Sequence, residues 1–239
     1  MDKALGVMML DTSFERPVGD VGNPASWPFP VIYRRIPGAS VDKIIVGQGL
    51  GLLDEFVQAG EELVAQGAGA LVTSCGFLSL WQAELTQRFS VPIATSSLLQ
   101  IPPLSALLPK GQIVGVITYN AAALTNRHFQ QAGVTNIPPA EGLPRDGAFF
   151  GLIEGGASYD QPALAAELDK AVETLLRRHP NIGALVFECT NLPPFSAAVS
   201  AKFNLPVFDI LTMGNWLYAG MPATRGRGVQ HHPPAARTH

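Results

Sequence analysis

Two stretches of this chain decide its fold: Gly69-Ala70-Leu71-Val72-Thr73-Ser74-Cys75-Gly76 and Gly183-Ala184-Leu185-Val186-Phe187-Glu188-Cys189-Thr190-Asn191. Each opens on glycine, runs through apolar residues and ends in a polar turn that holds a cysteine. The likeness continues without a gap. Cys75 and Cys189 stand 114 residues apart, and so do Ala83 and Ala197, Phe89 and Phe203, and Pro92 and Pro206. A weaker echo lies upstream, where Leu5-Gly6-Val7-Met8-Met9-Leu10-Asp11 is answered by Val114-Gly115-Val116-Ile117-Thr118-Tyr119-Asn120. A period this long is the size of a domain rather than of a solenoid repeat. The chain therefore reads as two related halves.

Within each half, short apolar runs alternate with helix-like stretches. Gly6–Leu10, Lys43–Val46, Ala70–Val72, Ile113–Ile117 and Ala184–Phe187 read as buried parallel strands. Leu52–Gln66, Leu80–Phe89, Ala121–Ala132, Gln161–Arg178 and Phe195–Phe203 read as helices. That alternation predicts an α/β fold of two pseudosymmetric parallel-sheet, Rossmann-like domains, with the active site between them. Residues 1–110 with 206–220 are expected to form the first domain, 111–205 the second, and 221–239 a flexible tail. The Gly-, Pro- and Asn-rich segment Arg16–Pro30 reads as a long loop that covers a site.

Bulk properties narrow the function. Nearly half of the 239 residues are apolar and 15% are charged, which supplies a core and excludes a disordered chain. A net charge of −3 offers no basic excess for phosphates, so nucleic acid is an unexpected partner. No apolar run is long enough for a membrane span, and the N-terminus lacks the layout of a signal peptide, which predicts a cytoplasmic protein. Three of the five histidines lie near the C-terminus, while His128 and His179 read as surface residues; no spacing suits a metal. Gly47-Gln48-Gly49-Leu50-Gly51 misplaces a glycine for a dinucleotide loop and reads as a turn into a helix.

Ligands of open α/β sheets bind beyond the carboxyl ends of the strands. Four such ends are polar here: Asp11-Thr12-Ser13, Ser74-Cys75-Gly76, Thr118-Tyr119-Asn120 and Glu188-Cys189-Thr190-Asn191. Two halves facing each other would set the two thiols on opposite faces of a bound molecule. A single cysteine ending a strand is usually a small buried hydrophobe; two at matched sites of a repeat, in polar turns, point to chemistry. One thiolate would take a proton from a carbon next to a carboxylate, and the opposite thiol would return one. Thr12, Ser13, Ser74, Gly76, Thr118, Tyr119, Asn120, Thr190 and Asn191 are the candidate substrate-binding positions. Glu188, beside Cys189, is expected to assist, by raising that thiol's pKa or by binding substrate; a structural cap is the alternative.

These residues resemble the aspartate/glutamate racemase superfamily, which includes glutamate, aspartate and hydantoin racemases, maleate isomerase and arylmalonate decarboxylase. The resemblance covers roughly residues 4–218 and rests on Thr-Ser-Cys75-Gly, Glu-Cys189-Thr-Asn, the turn Asp11-Thr-Ser and the repeat. It implies two catalytic cysteines, Cys75 and Cys189, with no pyridoxal phosphate, other cofactor or metal. It also implies that Asp11 assists the thiol chemistry or binds a substrate amine, and that Thr190 holds substrate. Gly76-Phe77 and Asn191 depart from the glutamate racemase pattern. Both cysteines are present, unlike in arylmalonate decarboxylase. The expectation is therefore an isomerase of amino-acid metabolism, a cofactor-independent racemase or epimerase that acts on a small-molecule carboxylate, an amino acid or another α-substituted carboxylic acid, with a homodimer expected from the general frequency of such assemblies. Two alternatives stand beside it: a decarboxylase or cis–trans isomerase of a small dicarboxylic acid, and a non-catalytic ligand-binding protein on the same fold.

Overall fold

The structure is a computed structural model and describes residues 3–222. All of the expected tail except Met221 and Pro222 lies outside the described residues. In chain order the elements are β1 (Ala4–Met9), β2 (Val31–Arg35), α1 (Val41–Ile45), α2 (Leu53–Ala65), β3 (Ala68–Thr73), α3 (Gln82–Thr86), β4 (Ile93–Ala94), α4 (Ile101–Leu107), β5 (Ile113–Thr118), α5 (Asn126–Gln131), β6 (Ala140–Gly142), α6 (Ala148–Ile153), α7 (Gln161–Arg178), β7 (Ile182–Phe187), α8 (Ser196–Phe203), β8 (Val207–Phe208) and α9 (Ile210–Gly220). The strands form two parallel four-stranded sheets, ordered β2-β1-β3-β4 and β6-β5-β7-β8. The fold is α/β, as expected.

The repetition reaches into the hydrogen-bond register. Ala4 faces Ala68 while Leu5 skips to Ala70; likewise Ile113 faces Ile182 while Val114 skips to Ala184. β1 and β7 are buried along their whole length, which is why they read as continuous apolar runs rather than alternating ones. The matched glycines Gly6 and Gly115 let a helix seat on each central strand. A methyl on Gly6 would come within 2.6 Å of Leu71 and 3.2 Å of Leu63 on α2; one on Gly115 would come within 2.7 Å of Ile182 and 3.0 Å of Leu175 on α7. Leu63 and Leu175 are buried there, each contributing about 2 kcal/mol through loss of apolar surface from water.

The halves exchange elements. After β4 the chain crosses over, and α4 packs on β5 of the second sheet; after β8 it crosses back, and α9 packs on β1 and β3 of the first. The crossing points are tied together. Ser97 Oγ donates to the Phe187 carbonyl at 2.5 Å, Gln100 Nε2 to the Asp209 carbonyl at 2.9 Å, and Thr212 Oγ1 to Gln100 Oε1 at 2.9 Å. The expected boundaries differ from this arrangement. Val207–Phe208 pairs within the second sheet rather than the first, and Ile101–Leu107 covers the second sheet rather than its own.

Other local expectations also need correction. Lys43–Val46 is not a strand: Ser40 Oγ caps α1 by accepting from the Lys43 N–H at 3.3 Å. A four-residue apolar run is too short for its period to separate helix from strand. The strand in that position is Val31–Arg35, an edge strand whose half-exposed residues break the apolar signal. The Leu80–Phe89 helix is a 3-10 turn, Gly76–Trp81, followed by α3, and within Ala121–Ala132 only Asn126–Gln131 is helical.

Candidate active site

The ends of β1, β3, β5 and β7 converge on one cavity between the halves, enclosing about 370 Å³ of empty space including its open side. The first half contributes Leu10, Thr12, Phe14, Arg16, Val41, Ile45, Ser74, Cys75, Gly76 and Phe77; the second contributes Tyr119, Ile153, Glu188, Cys189, Thr190 and Asn191. Both cysteines are free and buried. Cys75 ends its strand as the cap of the 3-10 helix Gly76–Trp81, and the N–H groups of Phe77 and Leu78 point to its sulfur. Burial, and then the charge of Glu188, push this thiol up; the two N–H groups oppose them. Burial and Glu188 also push Cys189 well up, and there a single N–H, from Asn191, opposes.

Glu188 is fully buried in the wall of the same cavity, and its charge acts on both thiols. Its Oε2 accepts from Thr118 Oγ1 at 2.7 Å, and the Tyr119 N–H also points to the carboxylate. Among the described residues its Oε1 has no partner. Desolvation raises its pKa to about 7, against those two hydrogen bonds. The carboxylate reaches across to the first half, because a Cβ on Gly76 would collide with it and with the Glu188 carbonyl. Glycine at 76 is thus the space that Glu188 occupies.

A second polar chain closes the cavity from the loop. Arg16 Nη1 pairs with buried Asp20 Oδ1 at 2.8 Å, and its Nη2 donates to Thr12 Oγ1 at 2.7 Å. Asn191 Nδ2 donates to Asp20 Oδ2 at 2.8 Å, and Thr190 Oγ1 to the Ser74 carbonyl at 2.6 Å, so the second half holds both the loop and the first cysteine turn. The Arg16 guanidinium lies 4.3 Å from the centre of the Phe14 ring. The loop does cover the site, and Arg16 is the functional candidate that sequence reasoning missed. No periodic pattern runs through a loop, so its only signal was an arginine at the start of a segment already expected to lie over the cleft.

Not every expected site residue lines this cavity. Asp11 lies in an outer mouth together with Ser13; it is exposed, accepts from the Gly38 N–H at 2.9 Å, and stands 3.8 Å from Arg35. Thr118 acts behind the wall by holding Glu188, and Asn120 turns away to accept from the Ala123 N–H at 3.2 Å. Tyr119 does line the cavity, with its hydroxyl donating to Glu154 at 2.6 Å. His128 is buried rather than exposed. Desolvation lowers its pKa to about 4, and its ring meets the edge of Phe77 at 5.3 Å, bracing the cavity wall as a neutral group. Among the described residues no cluster of His, Cys, Asp and Glu is arranged to hold a metal, and no helix is long and apolar enough to cross a membrane.

This fold is shared with solved decarboxylase and racemase structures. Arylmalonate decarboxylase superposes with a TM-score of 0.60 at 19% identity, over 93% of this chain and 96% of that one. Glutamate racemase RacE1 from Bacillus anthracis superposes with a TM-score of 0.60 at 14% identity, over 91% and 80%. No family model matches the chain. In sequence, the chain is similar to a dimethylsulfoniopropionate lyase from Durusdinium sp. clade D, 29% identical over 91% of this chain and 74% of that protein. It is also similar to dimethylsulfoniopropionate lyase 3 from Emiliania huxleyi, 30% identical over 95% of this chain, although it spans only 62% of that relative's length. These relatives correct the functional expectation. Both of these similar proteins are named as lyases, which overturns the isomerase reading, the racemase or epimerase activity and the tie to amino-acid metabolism; nor do they favour the decarboxylase alternative.

Proposed function

We propose that this chain is a lyase that cleaves dimethylsulfoniopropionate, or a close sulfonium carboxylate, by β-elimination. The observation that carries this reading is the similarity, along nearly the whole chain, to proteins named for that reaction. The cavity's chemistry supports it. A zwitterion with a sulfonium β to its carboxylate needs one base for the proton on C2; the leaving group is a neutral sulfide and needs no proton. The C2–H electrons become the C2=C3 bond, the C3–S pair leaves on sulfur, and the products are dimethyl sulfide, acrylate and one proton.

Cys75 is the better base of the two thiols, since two backbone N–H groups hold its thiolate and one holds that of Cys189. The incoming sulfonium brings a positive charge beside these sulfurs, so thiolate formation is favoured with substrate in place. Arg16 and Thr12 are placed to take the carboxylate, while Val41, Ile45, Phe77 and Ile153 form an apolar wall for the S-methyl groups. The charged residues lining the outer mouth, Asp11, Glu15, Asp42 and Glu154, are all acidic, which suits entry of a cation. Incubation with dimethylsulfoniopropionate should release dimethyl sulfide and acrylate in equal amounts, followed by headspace gas chromatography and vinylic proton signals. Exchange of the C2 protons with no sulfide released would refute the lyase reading.

A further inference from the structure

A buried thiol cannot act as a base until its own proton has somewhere to go. Cys75 is buried in the wall of the cavity, with little of its side chain open to solvent. The repeat shows where a special acceptor has been added. The counterpart of Glu188 in the first half is Ser74, and Ser74 is satisfied: its Oγ accepts from the Leu10 N–H at 2.8 Å. In the second half the same strand end carries a carboxylate that uses Oε2 on Thr118 and leaves Oε1 buried without a partner. A buried oxygen left unpaired costs stability, so it persists against a penalty. Gly76 keeps open the space in which that carboxylate lies beside the Cys75 turn.

We propose that Glu188 is the proton acceptor for the Cys75 thiol: its unpartnered carboxylate oxygen takes the S–H proton and thereby makes the thiolate that removes the C2 proton of the substrate. In the first step the S–H bond breaks and an O–H bond forms on Glu188. In the second the thiolate sulfur takes the C2 proton as the C3–S bond breaks. Glu188 then loses its proton to water as products leave, and thiol and carboxylate are restored. This inference rests on the elimination reading. Its pH range follows from the groups around the carboxylate. Cys75 faces it from the first half and Cys189 from its own turn, with Tyr119 at the end of β5 and the Arg16–Asp20 pair in the covering loop. Because the pKa of Glu188 is raised to about 7, the carboxylate is half ionised near neutrality and is a stronger proton acceptor than an ordinary carboxylate; the bound sulfonium favours the thiolate left behind. Glu188 is a positioning and proton-holding residue here, acting on substrate through Cys75.

The test uses iodoacetamide, which reports thiolate without any substrate. The rate of Cys75 alkylation in the full chain, read by peptide mass spectrometry between pH 5.5 and 9.5, is compared in wild type, Glu188→Gln and Glu188→Asp. Ionised Glu188 raises the thiol, so Glu188→Gln, which keeps an oxygen for Thr118, should be alkylated at pH 7 as fast as wild type or faster when no substrate is present. Its sulfide release from dimethylsulfoniopropionate should nonetheless fall about 100-fold in kcat with KM nearly unchanged, and Glu188→Asp should recover part of that loss. A wild-type kcat in Glu188→Gln, or a lower kcat matched by equally slowed alkylation, would overturn the role of Glu188. Absence of sulfide release by wild type with this alkylation pattern intact would overturn the elimination reading alone.

Discussion

The two halves of this molecule share strand order, the register skip beneath the central strand and the glycine under the packed helix, yet they differ at the residues that matter for chemistry. Ser74 is matched by Glu188, Gly76 by Thr190 and Phe77 by Asn191. In the first half the strand-end side chain is hydrogen-bonded and the sulfur receives two N–H groups; in the second a carboxyl oxygen is left bare and the sulfur receives one. The scaffold is duplicated and the polar groups at its strand ends are not. Inversion at carbon asks for two equivalent faces, whereas elimination asks for one base and a way to dispose of its proton. The asymmetry agrees with the second demand.

The sharpest way to break this comparison is to remove each thiol in turn. Cys75→Ala should lower elimination by about 10³-fold or more, the scale of a lost general base, while Cys189→Ala should cost only about 10- to 100-fold through the shape of the opposite wall. Initial rates of sulfide release measure both, and equal losses would erase the distinction between the halves.

Next in size is the effect of the bare carboxylate on stability. The pKa of Glu188 is raised to about 7 in the fold, against about 4.3 in an unfolded chain. The folded protein therefore holds a proton that the unfolded chain has released, so stability is greatest below about pH 4 and declines as pH rises to about 7. The full cost above that range is on the order of 3 kcal/mol. Glu188→Gln should accordingly raise the melting temperature at pH 8 by several degrees and much less at pH 5. A gain that is the same at both pH values would remove the ionised carboxylate as its cause.

A matched pair of substitutions probes the seam at smaller scale. Gly76→Ala drives a methyl into the Glu188 carboxylate and should cost about 1–3 kcal/mol by overpacking. Thr190→Val keeps the shape but strips the buried Ser74 carbonyl of its donor, for about 1–3 kcal/mol. Denaturant midpoints report both. Asp11→Asn should do least, changing kcat/KM by less than about threefold at moderate ionic strength, because an exposed carboxylate in the mouth is screened by solvent and salt.

The repeat itself was legible because strands buried on both faces leave an apolar signature and because a strand end carrying a cysteine recurs at one fixed spacing. Cys75, Cys189, Glu188, Ser74, Gly76, Tyr119, Thr190, Asn191 and Thr12 all line the cavity that the two halves share. Arg16 was not legible as a site residue, since its position depends on how a loop is pinned by Asp20 and Asn191 across the seam. His128 read as exposed because its burial comes from Phe77 and not from its own helix pattern. The exchange of α4 and α9 between sheets was hidden because sequence order says nothing about which sheet a crossing helix covers. The choice between racemisation and the proposed elimination was hidden for a chemical reason: a thiolate that takes a proton next to a carboxylate begins both alike, and the fate of the carbanion is set by whether the substrate carries a leaving group.

The most direct measurement follows the two hydrogens on C2 separately. Dimethylsulfoniopropionate stereospecifically deuterated at C2 is prepared as its two enantiomers, each is turned over to completion, and the acrylate is analysed by mass spectrometry. With Cys75 as the sole base, one enantiomer should yield acrylate free of deuterium at C2 and the other acrylate that retains it. Equal loss of deuterium from both enantiomers would mean that both faces deliver protons to a thiol, and would contradict an asymmetric site.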